Sequence, residues 1–532
     1  MTYIPEIVTM ADVPRYHARI RPDAVAMMDS GRITTYGAWD KRCSRVANGL
    51  TALGVKPGAR IAVIDQNSDR YFDILFGAAK IGGVLVSVNW RLAPPEIVYI
   101  LNDAKAEVVF IGERFAGLIR SVLPELKSLR QVIVIDGAVD GWPAYEDWAG
   151  RQSDHDPDFR GSARDTVVQM YTSGTTGNPK GVQLSHQSLY AHDRNRSLLT
   201  DHFDPQLGWN DWDPSDVSLV TMPAFHISGT GWGIIGLYNG ARSIILTQFE
   251  PGEVLSVIER ERVSKLVLVP AVIQQLLQDP RCKNTDFSSI KYLLYGASPI
   301  PLDLLREAVA TFKCGFVQLY GMTETAGAVT YLPAEDHDMS GTKRMRSAGR
   351  AVTGARIEIR DAHNKPVPVG SEGEIWIRSE SCMNGYWNLP EATAATMPGD
   401  CWVRTGDAGF MDEDGYVYVQ DRVKDMIVSG GENIYPAEVE SAIYGHPSVA
   451  EVAVIAVPDD KWGEAVKAVI VLKPQCEPDQ NGILEFTRKR IAGYKLPKSI
   501  DFVNALPRNG TGKVLKRELR KPYWEGRERQ VN

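Results

Sequence analysis

At 532 residues the chain exceeds what one hydrophobic core organises, and such a length implies about three to four folding units. Hydrophobic residues make up 44% and charged residues 23%, the balance of an ordinary globular protein. Lys and Arg total 59 against 66 for Asp and Glu, a formal charge of -7, and that mild acidity argues against broad binding to nucleic acid or anionic membranes, which needs clustered basic residues.

In chain order, RIAVIDQ (60–66), VLVSVN (84–89) and EVVFI (107–111) are β-branched runs. They are separated by the helix-period YFDILFGAAKIGG and an amphipathic stretch ending at Leu101. This strand–helix–strand rhythm predicts a largely parallel sheet. Strand-like TVVQMY then runs into the glycine-rich YTSGTTGNPKG (171–181). The rhythm resumes with VSLVTM (217–222), SIILT (243–247), KLVLV (265–269), KYLLY (291–295) and GFVQLY (315–320). Between these, VLSVIERER (254–262) and PLDLLREAVATF (301–312) have the period of helices. Two similar α/β units in succession are expected.

From about residue 345 the character changes. RIEIRD, GEIWIRS and GYVYVQD are short strands between glycine and aspartate turns, the pattern of a smaller β-rich unit. DRVKDMIVSGGENIYP (421–436), charged first and then glycine-paired, marks a boundary. Beyond it, EVAVIAVP (451–458), AVKAVIVLKP (465–474) and the helical ILEFTRKRIAGY (483–494) make a compact α+β unit. The expected fold class is α/β: a large N-terminal domain (1–421) of two α/β subdomains plus a β-rich subdomain, followed by a small mobile α+β domain (422–532).

The six cysteines are scattered, without a CxxC pair or a histidine at ligand spacing, so neither a disulfide framework nor a zinc site is expected. A signal peptide and a spanning helix are not expected either, since no apolar run approaches the ~18 residues a membrane requires. A reducing cytoplasm is the simplest location.

The glycine-rich loop offers what an anion needs. Its glycines let successive backbone N–H groups turn toward one point, its Ser and Thr hydroxyls add donors, and Lys180 adds charge. A Walker A loop is excluded, because Gly177 is followed by Asn178 and Lys180 by Gly181. NGTGKV (509–514) fails the same test at Pro507 and Val514. The bland alternative is a Gly/Ser/Thr linker; a phosphate loop is preferred because a strand leads directly into it.

YTSGTTGNPKG resembles the signature loop of the adenylate-forming enzymes, which include acyl-CoA synthetases, adenylation domains of peptide synthetases and beetle luciferases. Further segments match that family in the same order: PAFHISG (223–229), YGASPIP (295–301), QLYGMTE (318–324), GEIWIRS (373–379), WVRTGD (402–407), DRVKDMIVSGGENIYP and PRNGTGKVLK (507–516). The resemblance implies a two-step reaction: a carboxylate attacks the α-phosphate of ATP, and a thiol, usually of coenzyme A, then displaces AMP. ATP, Mg2+ and coenzyme A are the implied cofactors and co-substrates, and a homodimer is compatible with it. No nucleic-acid partner and no integral membrane segment are expected.

By resemblance, Thr172, Ser173, Gly174, Thr175, Thr176, Gly177 and Lys180 grip the β- and γ-phosphates that leave as pyrophosphate. Thr323 donates to the α-phosphate, Glu324 holds magnesium with Thr176, and Tyr320, Gly321 and Met322 line the adenine side. Gly296, Ala297 and Ser298 flank adenine and acyl group. Asp407 and Arg422 take the ribose, and Lys513 bridges carboxylate and α-phosphate. Lys424 matches the hinge of a rotating domain, while Ser429, Gly430, Gly431 and Trp462 would meet the thiol substrate. Taken singly, each has a plainer reading: Tyr320 as strand-end packing, Asp407 as a turn residue, Arg422 and Lys513 as solvated surface charges.

His226 occupies the place where peptide-synthetase domains carry an aspartate for an amino group, which favours an acid without an α-amine. With Ile227, Trp232, Gly296 and Gly321 it is expected to line the acyl pocket, gating the carboxylate or thiol. The leading expectation is an acyl-CoA ligase for a fatty or related hydrophobic acid. The alternatives are an aryl-acid CoA ligase, a freestanding enzyme loading a carrier protein, and a luciferase-like oxygenase.

Overall fold

The computed structural model describes residues 4–172, 178–191, 205–298, 300–337, 343–399, 401–422, 425–429, 432–459, 462–508 and 514–525, with the backbone alone at 205–207, 421–422, 432–433 and 463. Among these residues the strands form four sheets.

The first sheet runs Gly385–Tyr386, Lys180–Ser185, Thr166–Thr172, Val84–Ser87, Arg60–Ile64, Val108–Ile111, Gln131–Val134. Its five strands from Thr166–Thr172 to Gln131–Val134 are parallel, and all five residues of Arg60–Ile64 are buried, as interior parallel strands must be. The second sheet runs Arg350–Ala351, Gly327–Leu332, Gly315–Met322, Tyr292–Gly296, Lys265–Leu268, Val217–Val220, Arg242–Ile245, Val25–Asp29, Arg32–Thr35. The predicted rhythm is there, but the two units are interleaved rather than successive. Val25–Asp29 pairs in parallel with Arg242–Ile245, and Gly385–Tyr386 returns from beyond the second sheet to pair with Gln183 and Val182 of the first. Each crossing strand covers an edge that sequence neighbours leave open.

The sheets meet through two helices, Asp69–Ala79 and Ile227–Tyr238. Tyr71 Oη lies 2.6 Å from Thr230 Oγ1 and 2.5 Å from Ser87 Oγ, so one buried hydroxyl chain joins both helices to the first sheet. Asn67, just before Asp69–Ala79, is buried and clamps the sheets at their carboxyl ends. Its Nδ2 donates to the carbonyls of Met222 (3.0 Å) and Leu246 (3.1 Å), and its Oδ1 accepts from Ala224 N (2.8 Å).

The β-rich unit is a four-stranded antiparallel sheet, Arg356–Arg360, Gly373–Arg378, Trp402–Met411, Val417–Arg422. WVRTGD, notable in the sequence only as a motif, opens the longest of these strands. The C-terminal unit packs Pro436–Tyr444 and Gln480–Arg488 on a five-stranded sheet whose long hairpin is Val449–Asp459 with Gly463–Leu472. The expected helix over 483–494 ends at Arg488, and Gly493 opens a separate 3-10 turn. Contacts with the rest of the chain include Tyr435 Oη to Glu372 (2.8 Å) and Gln274 Nε2 to Tyr444 Oη (2.9 Å). No helix among the described residues is long and apolar enough to cross a membrane.

The first helix, Asp12–Ile20, is held to the end of Ile227–Tyr238 by His17, whose Nε2 lies 2.9 Å from the Tyr238 carbonyl under the Tyr36 ring. Burial pushes the His17 imidazole down to about 4. The unfolded chain takes up this proton near 6.5 and the folded one only near 4, so His17 stabilises fully above pH 6.5 and loses that contribution as pH falls toward 4. Urea unfolding at neutral pH and near the folded-state value should show His17→Gln with a shallower acid destabilisation, by roughly 2–3 kcal/mol.

Candidate active site

The parallel strands Tyr292–Gly296 and Gly315–Met322 end side by side, with Gly296 opposite Leu319. This is the carboxyl edge of an open α/β sheet, where ligands bind. Two of the predicted glycines are there because backbones approach closely: a Cβ on Gly296 would stand 2.1 Å from the Leu319 carbonyl oxygen, and one on Gly321 1.9 Å from that of Gly327. Ala297 holds a φ of +66°, a left-handed conformation costly for a residue with a side chain. Ser298 follows it on the same loop.

Met322 leads into a 3-10 turn, Thr323–Thr325. Thr325 fixes that turn: its Oγ1 accepts from Met322 N (3.1 Å) and donates to the Gly327 carbonyl (2.7 Å). Thr323 is left half-buried and Glu324 buried. Tyr386 Oη donates to Glu324 Oε1 (2.8 Å), while Lys180 Nζ sits 4.9 Å from the centre of the same tyrosine ring. One aromatic side chain thus gathers the predicted metal carboxylate and the predicted phosphate lysine. Thr172 and Lys180 are themselves opposite each other in the antiparallel pair that closes the glycine-rich loop.

On the other flank Tyr320 Oη donates to Asp407 Oδ2 (2.7 Å), and Asp407 N donates to Thr405 Oγ1 (3.0 Å). Asp407 and Arg422 are directly opposite in neighbouring strands, the register that a shared ribose would require. His226 precedes the helix Ile227–Tyr238, its ring 4.6 Å from that of Phe225. Burial, with Arg91 adding to it, drives its imidazole down to about 3, and its Nε2 is buried without a hydrogen-bond partner. A neutral imidazole with one unused nitrogen is suited to a ligand. Trp232 is buried, donating its indole N–H to the Leu219 carbonyl (3.1 Å) and packing on Trp212. Ser429 is half-buried and Trp462 exposed on the C-terminal unit.

A description of the AMP-binding enzymes matches residues 15–387, and that of the AMP-binding enzyme C-terminal domain matches 438–513. The chain belongs to the AMP-binding enzymes. It is 37% identical to a fatty acid–[acyl-carrier-protein] ligase of Streptomyces coeruleorubidus over 99% of both chains. It is 38% identical to a feruloyl-CoA synthase of an Amycolatopsis species over 96% of this chain and 98% of that one. An anthranilate CoA ligase in complex with anthranoyl-AMP superposes with a TM-score of 0.89 at 28% identity, covering 98% of each chain. As a member of this family the chain is an AMP-forming acid–thiol ligase that binds ATP and a carboxylic acid.

Among the described residues no group of three His, Cys, Asp or Glu side chains could hold a metal alone. Glu324 fits magnesium in another way, as the single carboxylate beside substrate phosphates. The expectations for Ser173, Gly174, Thr175, Thr176, Gly177, Lys424, Gly430, Gly431 and Lys513 lie outside the described residues, as does the side chain of Arg422. Tyr386, Thr325 and Thr405 were missed. A tyrosine in NGYWNLP beside a glycine, and threonines within the TE and RTGD motifs, were the available signals.

Two measurements test this geometry. Tyr386→Phe keeps the ring beside Lys180 but removes the hydrogen bond to Glu324. Its apparent affinity for Mg2+ in pyrophosphate release should fall ~10-fold, with a smaller change in the KM for ATP. His226 is neutral throughout the working range, so His226→Ala should lower the rate without moving the inflections of the pH–rate profile.

Proposed function

We propose that this ligase activates a hydrophobic carboxylic acid, a fatty acid foremost, as the acyl-adenylate and transfers it to coenzyme A. The observation that carries the reading is the convergence of Glu324, Lys180 and Tyr386 on one flank of the strand ending at Met322, and Tyr320 with Asp407 on the other, beside the half-buried, apolar Ile227. An aryl acid is the second reading, favoured by the likeness to the feruloyl-CoA synthase and the anthranilate ligase. The acyl-carrier-protein ligase is the reason to test the acceptor directly.

In this reading Asp407 and Arg422 hold the ribose, Thr323 and Lys180 face the phosphates, and Glu324 holds magnesium, which neutralises developing charge. His226 contacts the carboxylate or thiol. Lys513 bridges carboxylate and α-phosphate during the first step. Residues 1–421 form the adenylation domain and 422–532 the mobile one, turning about Lys424 so that Ser429, Gly430, Gly431 and Trp462 meet coenzyme A. Two features of the C-terminal unit support this. Arg508 and Val514, which flank the lysine loop, pair as an isolated bridge. Arg508 also lines a cavity of about 910 Å3 with Met222 and Pro223, just ahead of His226.

Pyrophosphate release across a panel of acids, with and without coenzyme A, tests the reading. Acid-dependent release with coenzyme-A-dependent turnover supports it, and release that coenzyme A never accelerates favours a carrier protein as acceptor. Lys513→Ala should lower adenylate formation by about 100–1,000-fold and leave thiolysis of supplied acyl-adenylate intact. Equal loss of both steps would remove the assigned role.

A further inference from the structure

The two strands that carry the glycine-rich loop are both tied to one residue of a helix outside the site. Tyr171 and Gly181 face each other one step below the Thr172–Lys180 pair. Tyr171 Oη donates to Asp103 Oδ2 (2.5 Å), in the last turn of the helix Pro94–Ala104. On the other strand the Gly181 carbonyl accepts from Trp387 N (2.7 Å), and the Trp387 indole N–H donates to the Asp103 carbonyl (2.9 Å). The carboxylate of Asp103 thus holds one stem of the loop and its carbonyl holds the other.

The bond to Tyr171 is the end of a relay with a fixed direction. Gln169, fully buried, donates from Nε2 to Tyr171 Oη (3.0 Å) and accepts at Oε1 from Arg60 Nε (3.2 Å). The Arg60 guanidinium lies 3.4 Å from the centre of the Trp387 ring, which closes the circuit. Arginine can only donate, so Gln169 turns its oxygen to Arg60 and its amide N–H to Tyr171. The tyrosine hydroxyl then donates onward, and Asp103 accepts. A Cβ on Gly181 would stand 2.7 Å from Gln169 Nε2, so the glycine leaves room for this relay. The helix gains nothing from Asp103, because a carboxylate in its last turn is set against the negative end of the helix dipole. What explains an acid there is its partner, Tyr171.

We propose that Asp103 is a positioning residue for the phosphates. Acting through Tyr171, it fixes the direction in which Thr172 and Lys180 enter the glycine-rich loop, and so where the departing pyrophosphate is gripped. The inference rests on the assignment of that loop to the β- and γ-phosphates and adds the residue that aims it.

The test is acid-dependent ATP–pyrophosphate exchange, which needs no thiol, in wild type, Asp103→Ala, Asp103→Asn, Tyr171→Phe and the double variant Asp103→Ala/Tyr171→Phe. Asp103→Ala and Tyr171→Phe should each lower kcat/KM for ATP and for pyrophosphate by roughly 10–100-fold. The KM for the acid should stay within about twofold. Asp103→Asn, whose amide oxygen still accepts from Tyr171, should recover most of the loss. The double variant should be no worse than the poorer single one, since both changes remove the same bond. Losses that multiply in the double variant, or that fall equally on ATP and acid, overturn the inference. Lys180→Ala separates it from the reading beneath it. If Lys180→Ala loses ATP efficiency while Asp103→Ala and Tyr171→Phe do not, the positioning role fails alone. If Lys180→Ala is also unaffected, the phosphate assignment fails with it. Should Asp103→Ala fail to fold, Tyr171→Phe, which keeps the ring, decides, and unchanged kinetics there overturn the inference.

Discussion

The amide of Asn67 is the joint on which the site's geometry depends. Three of its hydrogen bonds reach backbone atoms of Met222, Ala224 and Leu246, all just past the carboxyl ends of strands in the second sheet. Asn67 itself follows a strand of the first sheet and precedes the helix Asp69–Ala79. A buried amide so placed must satisfy both its donor and its acceptor, which admits one arrangement of the two sheets. The elbow it grips carries His226 and opens the helix Ile227–Tyr238. The helices Asp69–Ala79 and Ile227–Tyr238 therefore share one fixed origin.

Much of this was legible in the residue pattern. β-Branched runs located most of the parallel strands to within a residue or two, because buried parallel strands have no polar face to disguise them, but Gln131–Val134 and Val25–Asp29 were not among those read. Glycine, threonine and acidic residues at loop positions marked the strand ends where the nucleotide elements gather. The helix boundary at Arg488 was less readable, since apolar periodicity continues past it through Ile491 and Ala492.

What the pattern hid has a common physical origin, namely long-range pairing. Tyr386 shows no local sign of reaching Glu324, because the two meet only through a short strand that crosses back to the first sheet. The His226 imidazole is pushed down by burial and by the charge of Arg91, with the Phe225 ring beside it, and spacing encodes neither. The glycine-rich loop and the lysine loop were the strongest sequence signals. Their central residues lie outside the described structure, so their roles rest on the neighbours that frame them.

The pairing of Val25–Asp29 with Arg242–Ile245 also bears on synthesis. The strand is made early and is flanked on one side only by its own hairpin partner, Arg32–Thr35. Its other edge finds a neighbour more than two hundred residues downstream. On the ribosome that edge waits unpaired while the strands of the first sheet up to Lys180–Ser185 are made. The pairing of this edge is therefore a late, non-local event in the life of the chain.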